Sequence, residues 1–204
     1  MHQFLHGVIA MGIVKFQCPA IIRASISVSL RTAANQTAVI QLLNIIGEEG
    51  AEIEAATEDD GSFSALQQKI NDAENGAVIS LDKDYTYDEG FSKRGIRIDK
   101  DLTINGNGHT LNGLSQGRIL LVKFGLIENN KVTLNNIKFT NGNTDLYGGA
   151  IFNYGNLTVN NCVFTNNYAK YCGGAINSVG HLNLKNSNFT KNTAGGDGGA
   201  VFTF

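Results

Sequence analysis

Phe139, Phe164 and Phe189 stand 25 residues apart, and so do the glycine pairs Gly148-Gly149, Gly173-Gly174 and Gly198-Gly199. Each pair opens nearly the same phrase: Gly-Gly-Ala-Ile-Phe-Asn, Gly-Gly-Ala-Ile-Asn-Ser, then Gly-Gly-Ala-Val-Phe-Thr. Leu134, Val159 and Leu184 hold the register, as do Asn136, Asn161 and Asn186, and no gap is needed. A fixed period of about 20–50 residues means one small unit stacked on copies of itself, so this chain folds as an array.

The content of one unit selects the array. Leu157-Thr158-Val159 is followed by Asn160-Asn161, then Cys162-Val163-Phe164, a polar Asn-rich stretch, and Gly173-Gly174-Ala175-Ile176. These are short runs with period-2 alternation broken by Asn and Gly, which reads as strands and tight turns. Asn and Gly at this density disfavour helical repeats, and a propeller blade needs about 40–50 residues. The expected fold is therefore all-β: a right-handed parallel β-helix in which each unit is one rung of three short strands and three turns. Rungs stack at about 4.8 Å, so each set of equivalent residues becomes a ladder.

The columns Phe139/Phe164/Phe189, Leu134/Val159/Leu184, Val132/Leu157/Leu182 and Ile151/Ile176/Val201 are expected to point inward. Asn136/Asn161/Asn186 falls at a corner, where Asn tolerates left-handed backbone and its amide can bond to the rungs above and below.

Gly-Gly-Ala-Ile together with Phe164-Thr-Asn-Asn167 resembles the paired GGAI and FxxN repeats of polymorphic outer-membrane proteins, and is similar to adhesin-like surface proteins of methanogenic archaea. Leu102 to Gly113 resembles their first rungs, and the likeness runs from about Asp59 to Phe204. It implies an exported, non-catalytic, adhesin-like module. Two positions depart from the pattern: Gly142 replaces the Asn of FxxN in the first unit, and Lys191 replaces the Asn found at 141 and 166. Neither is expected to fall at an inward position.

Formal net charge is −2 with no long basic run, which argues against capture of nucleic acid. Three cysteines, Cys18, Cys162 and Cys172, are neither a disulfide framework nor a zinc pattern. Cys162 shares a column with Ile137 and Ser187 and reads as a small core position; Cys172 shares one with Tyr147 and Asp197 and reads as a turn. The two either pair in an oxidising compartment or remain free.

Residues 1–56 do not match the rest. Phe4 to Val14 is short for a membrane span and lacks the basic start of a signal peptide. A second apolar run, Ala38 to Ile46, follows Arg23 and Arg31 and fits a secretory leader core; a mis-set start codon is the other explanation. Residues 57–76 hold a linker and a helix beginning at Ser62, with Phe63, Leu66 and Ile70 on one stripe and Asn75-Gly76 at its end. This helix is expected to cap the first rung. Residues 77–204 are the β-helix, about five rungs: strands at Ala77–Leu81, Ile96–Ile98, Leu102–Ile104 and Ile119–Lys123, a turn at Asp82-Lys83-Asp84-Tyr85, then the regular array. The corner Asn105-Gly106-Asn107-Gly108 is two residues longer than later ones. The last Gly-Gly-Ala phrase is not followed by the Leu-Thr-Val or Leu-Asn-Leu strand that follows the two earlier ones, so the chain is expected to be a fragment whose open last rung, around Ala200 to Phe204, self-associates.

Parallel β-helices include carbohydrate-active enzymes, so catalysis must be weighed. Polygalacturonase-like hydrolases need paired carboxylates. Asn143-Thr144-Asp145 matches one of that family's phrases, but no double Asp follows, Gly180-His181 continues into Leu182, and Arg-Ile-Lys is absent. A pectate-lyase-like site needs clustered acids for Ca²⁺ and a basic residue. Only Asp145 and Asp197 occur after Asn130, and the acid-rich turns Asp82/Asp84 and Asp99/Asp101 each hold a Lys between their acids. His109 reads as a turn hydrogen-bonder, and Gly106/Gly108 lacks the helix a phosphate loop requires. Asn35, Asn156 and Asn188 begin glycosylation triplets, which matter only after export.

No catalytic, cofactor-binding or metal-ligating residues are assigned. Tyr147, Tyr154, Tyr168 and Tyr171 are confined to the first two repeats and are not required by the fold, so they are the candidate ligand-binding residues. The function expected is a cell-surface or secreted adhesin-like binding module taking a glycan or a cell-surface protein, with no cofactor and no membrane span within the β-helix. The alternative is a polysaccharide lyase or glycoside hydrolase.

Overall fold

The computed structural model describes residues 29–31, 37–39, 59–123 and 130–204. The chain divides into two units, Met1–Glu58 and Asp59–Phe204. In the first, β1 (Ser29–Arg31) pairs antiparallel with β2 (Thr37–Val39), Leu30 opposite Ala38. The rest of the expected leader, Cys18 and the Asn35 triplet lie outside the described residues.

The second unit is a parallel β-solenoid of about five turns preceded by one helix. Its first two rungs have three strands each: β3 (Ala77–Ser80), β4 (Tyr85–Thr86) and β5 (Ile96–Ile98), then β6 (Leu102–Asn105), β7 (Thr110–Asn112) and β8 (Leu120–Val122). The next three have four: β9 (Lys131–Asn135), β10 (Lys138–Thr140), β11 (Asn143–Thr144) and β12 (Ile151–Asn153); β13 (Asn156–Asn160), β14 (Val163–Thr165), β15 (Tyr168–Ala169) and β16 (Ile176–Ser178); β17 (Leu182–Lys185), β18 (Asn188–Thr190), β19 (Thr193–Ala194) and β20 (Val201–Thr203). They form four parallel sheets, β3-β6-β9-β13-β17, β4-β7-β10-β14-β18, β5-β8-β12-β16-β20 and β11-β15-β19. The expected three strands per regular rung is thus corrected to four. The extra one is only two residues long and lies in the Asn-rich stretch, where no alternation is long enough to reveal it.

Register follows the repeat: Phe139 pairs with Phe164 and Phe164 with Phe189, while Leu102 pairs with Val132 across the longer early rung. The Phe column is an internal stack, with ring centroids 4.8 and 4.7 Å apart and planes within 8° and 2° of parallel. Val132, Leu134, Ile151, Leu157, Val159 and Ile176 are buried as expected. Asn136, Asn161 and Asn186 take φ of 51°, 53° and 48°, the left-handed corner that Asn tolerates. The inter-rung amide ladder, however, belongs to the preceding column: Asn135 donates to Asn105 at 2.9 Å and Asn160 to Asn135 at 3.0 Å. Those residues still lie on the strand, where register holds the amides one rung apart.

Two further positions differ from the sequence reading. Tyr85 is not a turn residue: it is fully buried, paired with Leu111, and starts the Phe column. Polar neighbours at 82–84 mask its inward direction. The FxxN asparagine is also internal. Asn167 is fully buried; its Oδ1 accepts Gly142 N–H at 2.8 Å and its Nδ2 donates to Phe139 O at 3.2 Å. Asn192 repeats the bracket, accepting Asn167 N–H and donating to Phe164 O. The column therefore closes the corner from inside, and Gly142 does fall at an inward position. A Cβ there would collide with Gly149 O and meet Asn167 Oδ1 at 2.9 Å, so the corner of the first unit is closed tightly around this glycine. Lys191 is exposed, as expected, and keeps the left-handed φ of its column.

Helix α1 (Phe63–Asp72) is capped by Ser62, whose Oγ accepts Ala65 N–H at 3.0 Å. Phe63, Leu66 and Ile70 are buried against the first rung. Gln67 covers the open edge of β5, accepting Arg97 N–H at 2.7 Å and donating to Arg97 O at 3.1 Å. Lys100 donates to Asn71 O and Ala73 O, the last carbonyls of the helix. Apolar cover and edge pairing together make this helix the cap. Cys162 is buried in the core and Cys172 half-buried, and both are free thiols. Burial pushes the Cys162 thiol up, which keeps it protonated and unreactive.

Candidate functional site

Because the interior is filled, recognition falls to residues whose side chains point outward. On β6, β9 and β13 those are Thr103, Thr133 and Thr158 with Asn105, Asn135 and Asn160; on β10, β14 and β18 they include Thr140, Thr165 and Thr190. These are polar faces, and a shallow groove of about 270 Å³ lies on the first, between Lys131, Asn156 and His181. The sheet β5-β8-β12-β16-β20 differs. Its outward column is Arg97, Leu121, Phe152, Asn177 and Phe202. Alternation sets this: Ile151 and Ile176 are buried in the core, so their neighbours Phe152 and Asn177 face out.

Three of the four tyrosines gather on this face. Tyr147 lies 5.2 Å from Tyr171, one rung away, and 6.0 Å from Phe152, and Phe152 lies 4.4 Å from Tyr154, all tilted ring pairs. Tyr171 is 43 % exposed, and Lys170 Nζ stands 5.9 Å over its ring. Tyr168 is on β15, in the β11-β15-β19 strip, and is not part of the aromatic cluster. Phe152 was missed by sequence reasoning; its signal was a bulky aromatic at the outward position of a strand whose inward position was already assigned.

Arg118 was missed as well. It is 3 % exposed and lies beneath Phe152, 5.2 Å from the ring centroid. Its guanidinium donates to Tyr147 O at 2.8 Å, Gly148 O at 3.0 Å, Arg94 O at 3.2 Å and Thr144 Oγ1 at 3.4 Å. In the regular array these carbonyl positions are served by backbone donors one rung earlier, as Gly148 N–H serves Cys172 O at 3.1 Å. The second rung has no strand in register with β11, so Arg118 supplies donors at that level. Burial pulls its pKa down to about 10, partly offset by Tyr154, so the guanidinium remains a cation at neutral pH. Arg118 thereby fixes the turn that carries Tyr147.

The turn has a second constraint. Gly148 and Gly173 have φ of +64° and +67°, and a Cβ on either would collide with the carbonyl oxygen three residues on. The Gly-Gly-Ala phrase is therefore the hairpin-tight return that brings Tyr147 and Tyr171 over the outward column.

Other candidates resolve as structure. His109 Nδ1 lies 3.1 Å from Asp84, whose carboxylate also accepts Thr110 N–H at 2.8 Å. Asp145 and Asp197 are exposed turn residues. Among the described residues, no group of three or more His, Cys, Asp and Glu side chains could hold a metal ion, and no helix is long and apolar enough to cross a membrane.

The fold and its outward faces define a parallel β-solenoid repeat protein. Residues 161–179 and 186–203 match the Chlamydia polymorphic membrane protein repeat. Each match runs from a left-handed Asn corner through FxxN to the strand after Gly-Gly-Ala, and residues 136–154 occupy the same register with Gly142 in place of Asn. No curated protein and no solved structure matches the chain.

Proposed function

We propose that this chain is a non-catalytic, adhesin-like binding module, displayed on the cell surface or secreted, that engages a glycan or a cell-surface protein. The observation that carries this reading is the pair of polymorphic membrane protein repeats, set in register in a solenoid. A filled interior and short turns leave recognition to outward columns, as in other solenoid binders. Within the regular repeats the only acids, Asp145 and Asp197, stand singly on exposed turns, where a hydrolase would need a pair. Two measurements test the reading. Protease shaving of intact producing cells should release peptides from residues 59–204, and beads coated with the 204-residue chain should adhere saturably to target cells. A protein recovered only inside cells and beads that do not adhere would refute it, as would turnover of polygalacturonate.

A further inference from the structure

Asn177 is fully buried, yet among the described residues neither its Nδ2 nor its Oδ1 has a hydrogen-bond partner. Its register neighbours are Phe152 on one side and Phe202 on the other, so the amide belongs to the outward column of the aromatic face. A buried amide with no partner on either atom is costly and needs an explanation, and a bound polar group is one that the surroundings of Asn177 support. Beside it, Phe152, Tyr147, Tyr154 and Tyr171 form a continuous set of ring contacts spanning two rungs. Tyr171 and Tyr147 also stand at the edge of the tight glycine turns, which come close to Asn177: a Cβ on Gly148 or Gly173 would meet Asn177 N at 3.1 or 2.9 Å.

We infer that this face is a glycan-binding site in which Tyr147, Phe152, Tyr154 and Tyr171 stack on the C–H face of a pyranose and Asn177 is its polar anchor. The inference rests on the surface-binding reading above. A sugar fits the chemistry because it is amphipathic in the same sense as the site. Its axial C–H groups match tilted aromatic rings, and its hydroxyls both donate and accept, as the free amide requires. Arg118 contributes a fixed cation below Phe152 whose donors are already engaged by carbonyls and Thr144, so the site does not depend on an acidic sugar. Tyr168 lies outside it.

The test uses the 204-residue chain on an array of neutral and acidic oligosaccharides, followed by titration of the best ligand. The chain has no Trp, and three of its six tyrosines, Tyr147, Tyr154 and Tyr171, lie in the site, so a ligand-dependent change in tyrosine fluorescence that is lost in Tyr171→Ser follows binding there, and the Asn177 side-chain amide gives a second signal by NMR. We expect saturable binding with a shift of the Asn177 amide. Tyr171→Ser should weaken binding about tenfold, the contribution of one stacked ring. Asn177→Leu should weaken it at least as much while the chain stays folded, because removing an unpaired buried amide is not destabilising. Tyr168→Ser should bind as the unmodified chain does. Unchanged affinity in Asn177→Leu and Tyr171→Ser would overturn the site. No array binding, with adhesion to cells retained after glycosidase treatment, would overturn the sugar as ligand in favour of a protein and leave the surface-binding reading standing. Absence of adhesion and of surface exposure would overturn that reading itself.

Discussion

Phe164 has a ring on each face and no exposed surface. Removing it leaves a cavity walled by two rings that the backbone register holds in place, so local collapse is limited. Phe164→Ala should cost about 3–5 kcal/mol in equilibrium unfolding; a loss below about 1 kcal/mol would mean the stack is not in the core. Gly173 obeys a different constraint. Gly173→Ala puts a side chain on left-handed backbone against Ile176 O, and should cost more than about 1 kcal/mol. The same change at Gly76, which has nothing within contact range of a Cβ, tests the conformational part alone.

At the scale of the element, the capping helix is tied to the first rung by three ionisable groups. Asp59 accepts from Lys69 at 2.7 Å and from Tyr85 at 2.5 Å, and Lys69 also donates to Tyr85 at 3.0 Å. Burial acts against the Asp59 carboxylate, but the hydrogen bonds from Lys69, Tyr85 and Gly61 outweigh it and hold its pKa below the usual value. Burial, with the Asp59 contact, pushes Tyr85 up to about 12. The signs give a plateau. Stabilisation from the depressed Asp59 is present above the ordinary carboxylate pKa and is lost as pH falls through its lowered value; that from the raised Tyr85 is present below the ordinary phenol pKa and is lost as pH rises toward 12. The thermal midpoint should therefore be flat between about pH 5 and pH 9 and fall on both sides. Asp59→Asn should flatten the acid limb, and an unchanged acid limb would show that the contact does not hold the cap. This helix was legible in the sequence because its Ser62 cap and Phe63/Leu66/Ile70 stripe are local features. The edge pairing by Gln67 was not, since it depends on where Arg97 arrives 30 residues later.

At the scale of the molecule, a period says which residues share a column but not which way a column points where the chain turns. The columns on strands were legible because alternation fixes their parity; Tyr85, Asn167 and the strands β11, β15 and β19 were not, because corner geometry decides them. The aromatic face was half legible: the tyrosines stood out as dispensable to the fold, while separating Tyr168 from the others required the path of the turn. The same stacking makes stability a sum over neighbouring rungs. The last rung is the least covered, with Leu184 37 % exposed where Leu134 and Val159 are buried. A polypeptide of these 204 residues should therefore associate through β17–β20 at micromolar concentration, seen as concentration-dependent sedimentation. A concentration-independent monomer with slow amide exchange at Val201 would contradict this.

The 25-residue stacking register underlies every assignment above, and a cross-link tests it directly. Thr140 and Thr165 are register partners on adjacent parallel strands and face outward. With Cys18, Cys162 and Cys172 replaced by Ser, Thr140→Cys/Thr165→Cys should close a disulfide, because strand spacing of about 4.8 Å places the Cα atoms within bridging range. Thr140→Cys/Val163→Cys, offset by one outward position, should remain reduced under the same oxidant. Bridging of the offset pair in preference to the register pair would contradict the stacking on which the account rests.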